Sequence, residues 1–246
     1  MPPRTLRDDL SSSPITATVD KFWEAWYFLL GMCDNYHDPY AFRYELNAFI
    51  QALRNITFML QSEKSRPPSF KDWYVFQQEK MRSDAHLRKF VEVRNFIVKK
   101  SMLATASKAH VGLFRGRRFK LGLNMELDPF QDSRALLEKT TKFMVGFMID
   151  EAHSAIGEQA GIRRTWIVED IGPNEVTGYC IDALSKMGKL LEEAHILWGG
   201  AFDATFEVPD PDSVFVLLES DLDLTLPTQW GWITEPTQTN NATHHA

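Results

Sequence analysis

The sequence predicts a mainly α-helical bundle carrying one or two small β-hairpin insertions, and three observations lead there. Apolar residues recur at spacings of three and four along most of the chain, the period of a one-sided helix. Asp38-Pro39 and Gly199-Gly200 supply a start and a stop for two of the long periodic runs. Between those runs HVGLFRGRRFKLGLNMEL switches to a two-residue alternation around Gly116, the pattern of a hairpin.

Taken in order, residues 1–14 read as a flexible leader of mixed charge. Val19, Phe22, Trp23, Trp26, Tyr27 and Leu30 then mark a first helix, with Gly31 as its end. Asp38 caps a second, with Pro39 in its first turn. It is expected over 39–64, with Phe42, Leu46, Phe49, Ile50, Leu53, Ile56 and Leu60 on one broad face. Pro67-Pro68 breaks it, FKDWYVFQQEKM forms a third, and Asp84 caps a fourth that runs to about Leu103. The hairpin covers 109–125. Val111, Leu113, Phe119, Leu121 and Leu123 are expected on one side, with Arg115, Arg117 and Arg118 at its tip. Residues 131–160 return to a helical pattern that stops at Gly161, and a strand-and-turn excursion lies near 163–171. A last long helix is expected over 175–198, followed by two short strands within 201–219. Residues 15–226 therefore form one domain, and 227–246 an extended or disordered tail.

Composition bounds the function. The chain has 44% hydrophobic and 24% charged residues, ordinary for a globular domain that buries a sizeable core. No secretory h-region is present at the start. The most apolar window, FWEAWYFLLGMC, is too short to span a membrane, so a cytoplasmic protein with no membrane partner is expected. Cys33 and Cys180 lie far apart without metal-type spacing and read as reduced core thiols. A net charge of −6 argues against a general nucleic-acid binder, but the charge is not evenly spread. Residues 88–120 hold ten Lys or Arg against the single Glu92, whereas residues 201–246 hold eight Asp or Glu and no Lys or Arg. A basic surface and an acidic one follow.

Motifs of chemistry are sparse. MIDEAH, ending at His153, lacks the phosphate loop a helicase needs. Asp34 with His37, Asp150 with His153 and Glu192 with His195 share the three-residue spacing of a carboxylate–histidine metal pair, and Glu24 and Glu45 stand as further carboxylates. Their order along the chain differs from a di-metal bundle, so neither metal nor cofactor is expected. No GxSxG elbow occurs. Two Arg-Asn pairs remain, Arg54-Asn55 and Arg94-Asn95, the second followed by Lys99 and Lys100.

The runs RYELNAFIQALRNITFMLQSEK, SFKDWYVFQQEKM and KFVEVRNFIVKK, within residues 40–103, resemble bacterial proteins related to the HEPN superfamily. Many HEPN domains are metal-independent ribonucleases that often dimerise, with a motif of Arg, then four to six residues of which the first is polar, then His, in which arginine holds the phosphate and histidine moves the proton. The resemblance maps the arginine to Arg94 and the polar residue to Asn95. The histidine positions are filled by Lys99, Lys100 and Ser101. An exposed lysine ammonium has no lone pair to act as a base near pH 7. The resemblance thus implies a degenerate, non-catalytic HEPN-like homodimer that binds RNA, a nucleotide or a protein partner in a defence or toxin–antitoxin setting. Lys99, Lys100, Arg115, Arg117 and Arg118 would be its anion-binding residues. Two alternatives stand beside it: a ribonuclease using His110 as base, and a structural or dimerisation module. Arg94 can equally be an ion-pair partner of Glu45 or Glu92 while Asn95 bonds the backbone.

Overall fold

The computed structural model describes residues 13–63, 66–99, 103–148 and 157–222. The helical part begins with α1 (Thr16–Asp34) and α2 (Pro39–Ser62), which pack along each other as an antiparallel pair. Asp38 caps α2 as its sequence requires: its Oδ1 accepts from the Tyr40 and Ala41 amides at 2.9 and 3.0 Å. Gly31 does not end α1. The carboxylate of Glu45 occupies the space a Cβ at position 31 would need, so this glycine lets α2 approach within the helix.

Helices α3 (Phe70–Ser83) and α4 (Ala85–Lys99) lie near their predicted positions. Asp84 Oδ1 accepts from the His86 and Leu87 amides to cap α4, while Oδ2 meets Lys186 Nζ at 2.7 Å. That contact ties the start of α4 to α6 (Val176–Leu197), which crosses α1. The shared core holds Phe22, Leu29, Phe49, Ile56, Leu184 and Leu191, all buried.

The β segments are more than separate insertions. β1 (Ala106–Arg115), β2 (Arg118–Leu127), β3 (Gln159–Val168), β4 (Gly172–Glu175) and a short β5 (Val216–Leu218) join into one antiparallel sheet ordered β2-β1-β3-β4, with β5 also on β3. The expected helical run to residue 160 is therefore corrected. Helix α5 (Ser133–Met148) ends earlier, residues 149–156 lie outside the described set, and Gln159–Gly161 is already strand. Gly161 sits there because Leu218 and Phe114 leave no room for a Cβ, not because a helix stops.

A second correction falls on 201–219. Residues 201–210 form no strand; the segment lies over α1 and α6. Its Ala204 amide donates to Glu192 Oε1, its Glu207 carbonyl accepts from Trp26, and Phe202 and Phe206 pack on Phe22. A short α7 (Pro211–Phe215) and α8 (Glu219–Leu222) flank β5. The leader's end is not loose: Ser13 Oγ lies 2.9 Å from His195 Nε2. Residues 1–12 and the predicted tail, 227–246, lie outside the described residues.

Helices and sheet are joined by an aromatic and polar seam. Phe42 stacks on Trp166 of β3 at 4.7 Å, and Trp166 Nε1 donates to the Tyr36 carbonyl at 2.9 Å. Arg164 is fully buried beside them. Its guanidinium lies 3.8 Å above the Trp166 ring and donates to Ser107 Oγ, Ser133 Oγ and the Gln131 and Pro129 carbonyls. Among the described residues no helix is long and apolar enough to cross a membrane.

Candidate functional site

A cleft of about 290 Å³ opens between α2, α3, α4 and α6. Its floor is apolar, with Leu53, Met81, Phe90 and Met187, and its rim carries Arg54, Arg82 and Arg88. This combination suits a ligand with a flat apolar body and an anionic group. Helical spacing explains how α4 contributes: Leu87 and Phe90 are buried on the face that continues one turn further to Arg94.

Of the two Arg-Asn pairs, Arg54 lines this cleft, and Arg94 lies beyond its lining near enough for its charge to act on Arg54. Arg54 is half-buried and stacks 4.3 Å above Phe58, with its Nη1 donating to Thr57 Oγ1 at 2.7 Å. Its pKa is lowered mainly by burial, an effect that Tyr74 offsets in part and the positive charge of Arg94 adds to slightly. Arg94 donates through Nη1 to Asn95 Oδ1 at 3.3 Å, and its Nε is buried without a hydrogen-bond partner among the described residues. None of Arg54, Arg88 and Arg94 has a carboxylate at ion-pair distance among those residues. The cleft thus carries a positive rim with one carboxylate, Glu92, and its arginines make no ion pair with it. The alternative pairing of Arg94 with Glu45 or Glu92 does not occur. Asn95 bonds Arg94, not the backbone as that alternative had it.

The remaining sequence-stated residues fall elsewhere. Lys99 is exposed at the end of α4, and Lys100 lies outside the described residues. At the hairpin tip Arg115 faces Glu158 at 3.6 Å, and Arg117 makes a two-pronged contact with Asp221 at 2.8 and 2.9 Å. Arg117 also donates to the Val216 carbonyl. Two of the three tip arginines are thus engaged by separate acids, and Arg118 is exposed. Ten residues of strand separate the tip from the end of β1 that α4 feeds, roughly 30 Å at 3.3 Å per residue. His110 stands in the middle of β1, edge-on to Phe119 at 5.4 Å, with no hydrogen bond or ion pair to Arg94 among the described residues.

Among the described residues the carboxylate–histidine pairs do not assemble. His195 Nδ1 lies 2.7 Å from the Leu191 carbonyl and must donate to it, leaving Nε2 to accept from Ser13. Glu192 receives the Ala204 amide. Asp150 and His153 lie outside the described residues, and no group of three or more metal-type ligands exists among the described ones. Cys33 and Cys180 are both buried free thiols. Burial pushes Cys33 up to about 12 and raises Cys180 well above the usual thiol range, so neither is a ready nucleophile. Sequence reading named Arg54 without giving it a site role, and it missed Tyr74. The repeated Arg-Asn pair was the available signal for Arg54. Tyr74 carried none beyond its aromatic type.

The comparisons with known proteins give a different family from the HEPN resemblance. The family model described as bacteriophage lambda protein ea47 matches residues 10–215. Protein ea47 of Escherichia phage lambda is 36% identical over 87 residues, which span 35% of this chain and 21% of the lambda protein. No solved structure matches the chain. The HEPN-like assignment is withdrawn on these matches. Arg-Asn pairs on amphipathic helices are short enough to recur by chance, and the pattern that suggested HEPN is carried by helical periodicity that unrelated bundles share.

Proposed function

This chain belongs to the bacteriophage lambda protein ea47 family, and from that premise and its arginine-rimmed cleft we propose a non-catalytic protein that binds a phosphate-bearing small molecule of the nucleotide class. Arg54 and Arg94 hold the phosphate, and the base lies on the apolar floor near Tyr74 and Phe90. The observation that carries this reading is the arginine rim of the cleft, none of Arg54, Arg88 and nearby Arg94 being ion-paired among the described residues, with the Arg94 Nε lacking a hydrogen-bond partner there. The size of the cleft favours one nucleotide over a strand of RNA. So does the engagement of Arg115 and Arg117 by Glu158 and Asp221, which removes much of the basic track a polyanion would follow.

Calorimetric titration of the full chain with nucleoside monophosphates at low salt tests the reading. Saturable binding is expected, weakened at least about tenfold by Arg54→Ala or Arg94→Ala, the loss of one charge-assisted contact of about 1.5–3 kcal/mol. Arg118→Ala should leave it unchanged. Binding that survives both cleft substitutions, or none at all at low salt, removes the proposal.

A further inference from the structure

Strand β2 is the outer strand of the sheet: β1 occupies one of its edges, and among the described residues no strand pairs with the other. We infer that this edge is a homodimer interface, in which β2 pairs antiparallel with β2 of a second copy about a two-fold axis at Leu123.

The first support is an unpartnered apolar row. Leu121, Leu123 and Met125 lie in register with Leu113, Val111 and Ala109 of β1 and share their face. The β1 residues are buried under a core that includes Leu137 and Ile162. Their β2 neighbours are 43%, 70% and 41% exposed. A long edge strand with an apolar row is a template for pairing, which monomeric proteins usually avoid.

The second support is charge, and it selects the partner. β2 begins with Arg118 and Lys120, and Glu126 and Asp128 stand at its other end. All four are exposed, and none is at ion-pair distance within the chain among the described residues, Glu126 lying opposite Lys108 of β1 without such a contact. An antiparallel copy sets the positive start of one strand against the negative end of the other. With Leu123 opposite itself, Leu121 faces Met125, and Lys120, the extra residue of a β-bulge against β1, comes alongside Glu126 with Arg118 toward Asp128, each twice by symmetry. Centring on Gly122 instead would set Lys120 against Asn124, and centring on Asn124 would set Gly122 against Glu126. A lysine on an edge can also serve to repel a copy. Here the far end of the same strand supplies its counter-charge.

Light scattering behind size exclusion, with analytical ultracentrifugation, reads the result. The wild type should be a concentration-dependent dimer. Lys120→Glu alone and Glu126→Lys alone each place like charges opposite one another and should weaken dimerisation at least about tenfold. An equimolar mixture of the two variants should restore it, because in the mixed pair every facing charge is again opposite. Leu123→Cys should cross-link to itself under mild oxidation, whereas Leu121→Cys should cross-link only to Met125→Cys. A wild type that stays monomeric at high concentration overturns the proposal. So does a dimer indifferent to the charge changes, failure of Leu123→Cys to cross-link, or growth into larger assemblies.

Discussion

Single buried polar groups set much of this molecule's behaviour. His37 is enclosed beside Arg164, and its pKa is pushed down to about 3, mainly by burial and then by the Arg164 charge. A histidine kept neutral in the fold is protonated first in the unfolded chain. Unfolding then takes up protons below about pH 6.5, and stability falls as the pH drops toward 3. By pH 5 the loss should reach about 2 kcal/mol, at about 1.4 kcal/mol per pH unit below the unfolded value. Glu175, whose pKa burial raises, acts in the opposite direction. The diagnostic is therefore a comparison: urea unfolding from pH 7 to 5 should slope less in His37→Phe than in the wild type. Arg164→Met removes the donor to two serine hydroxyls and two carbonyls. It should cost at least about 3 kcal/mol in the same assay, since each buried acceptor left unmet costs about 1–3 kcal/mol. His37 stood out in the sequence only for its spacing from Asp34, and Arg164 not at all, because burial of a charged group is a property of what packs over it.

At the scale of elements, the hairpin is held by glycine as much as by its apolar residues. Gly116 has φ of 52° and Arg117 does not share a positive φ, as a two-residue loop with glycine first requires. Gly112 and Gly122 face each other across β1 and β2. A Cβ on either would stand 2.1 Å from a backbone oxygen of the facing strand. Gly112→Ala or Gly122→Ala should therefore destabilise by at least about 1–3 kcal/mol, the usual cost of overpacking, and chemical denaturation measures it. The hairpin was legible because its alternation and turn are local. Even so, Phe119 was placed on the wrong side. A register shift between Leu113 and Phe114 turns it toward Phe114 and away from Val111. The helices were legible for the same local reason, through Asp38, Asp84 and their apolar faces. The single sheet was not, because β3 meets β1 and β5 across long stretches of chain, and no local pattern encodes which strands will pair.

For the whole molecule, the seam at Tyr36, Phe42 and Trp166 fixes the helical part against the sheet. The two proposed surfaces then lie on different parts: the cleft between helices, and the open edge at β2. The cleft was half legible. Arg94 and Asn95 were singled out from the sequence, but the partner that gives Arg94 its meaning is Arg54, forty residues earlier, which only the packing of α4 on α2 brings near. Added salt should weaken nucleotide binding modestly, since about one phosphate is neutralised, and far less than the steep loss shown by proteins that grip many phosphates. The most direct measurement follows the arginine side-chain Nε–Hε resonances by NMR during a titration with a nucleoside monophosphate. The account predicts that the Arg54 and Arg94 signals shift together and saturate, while those of Arg117 and Arg164 stay fixed. Saturable shifts confined to other arginines, or no saturable shift at Arg54 and Arg94, would contradict it.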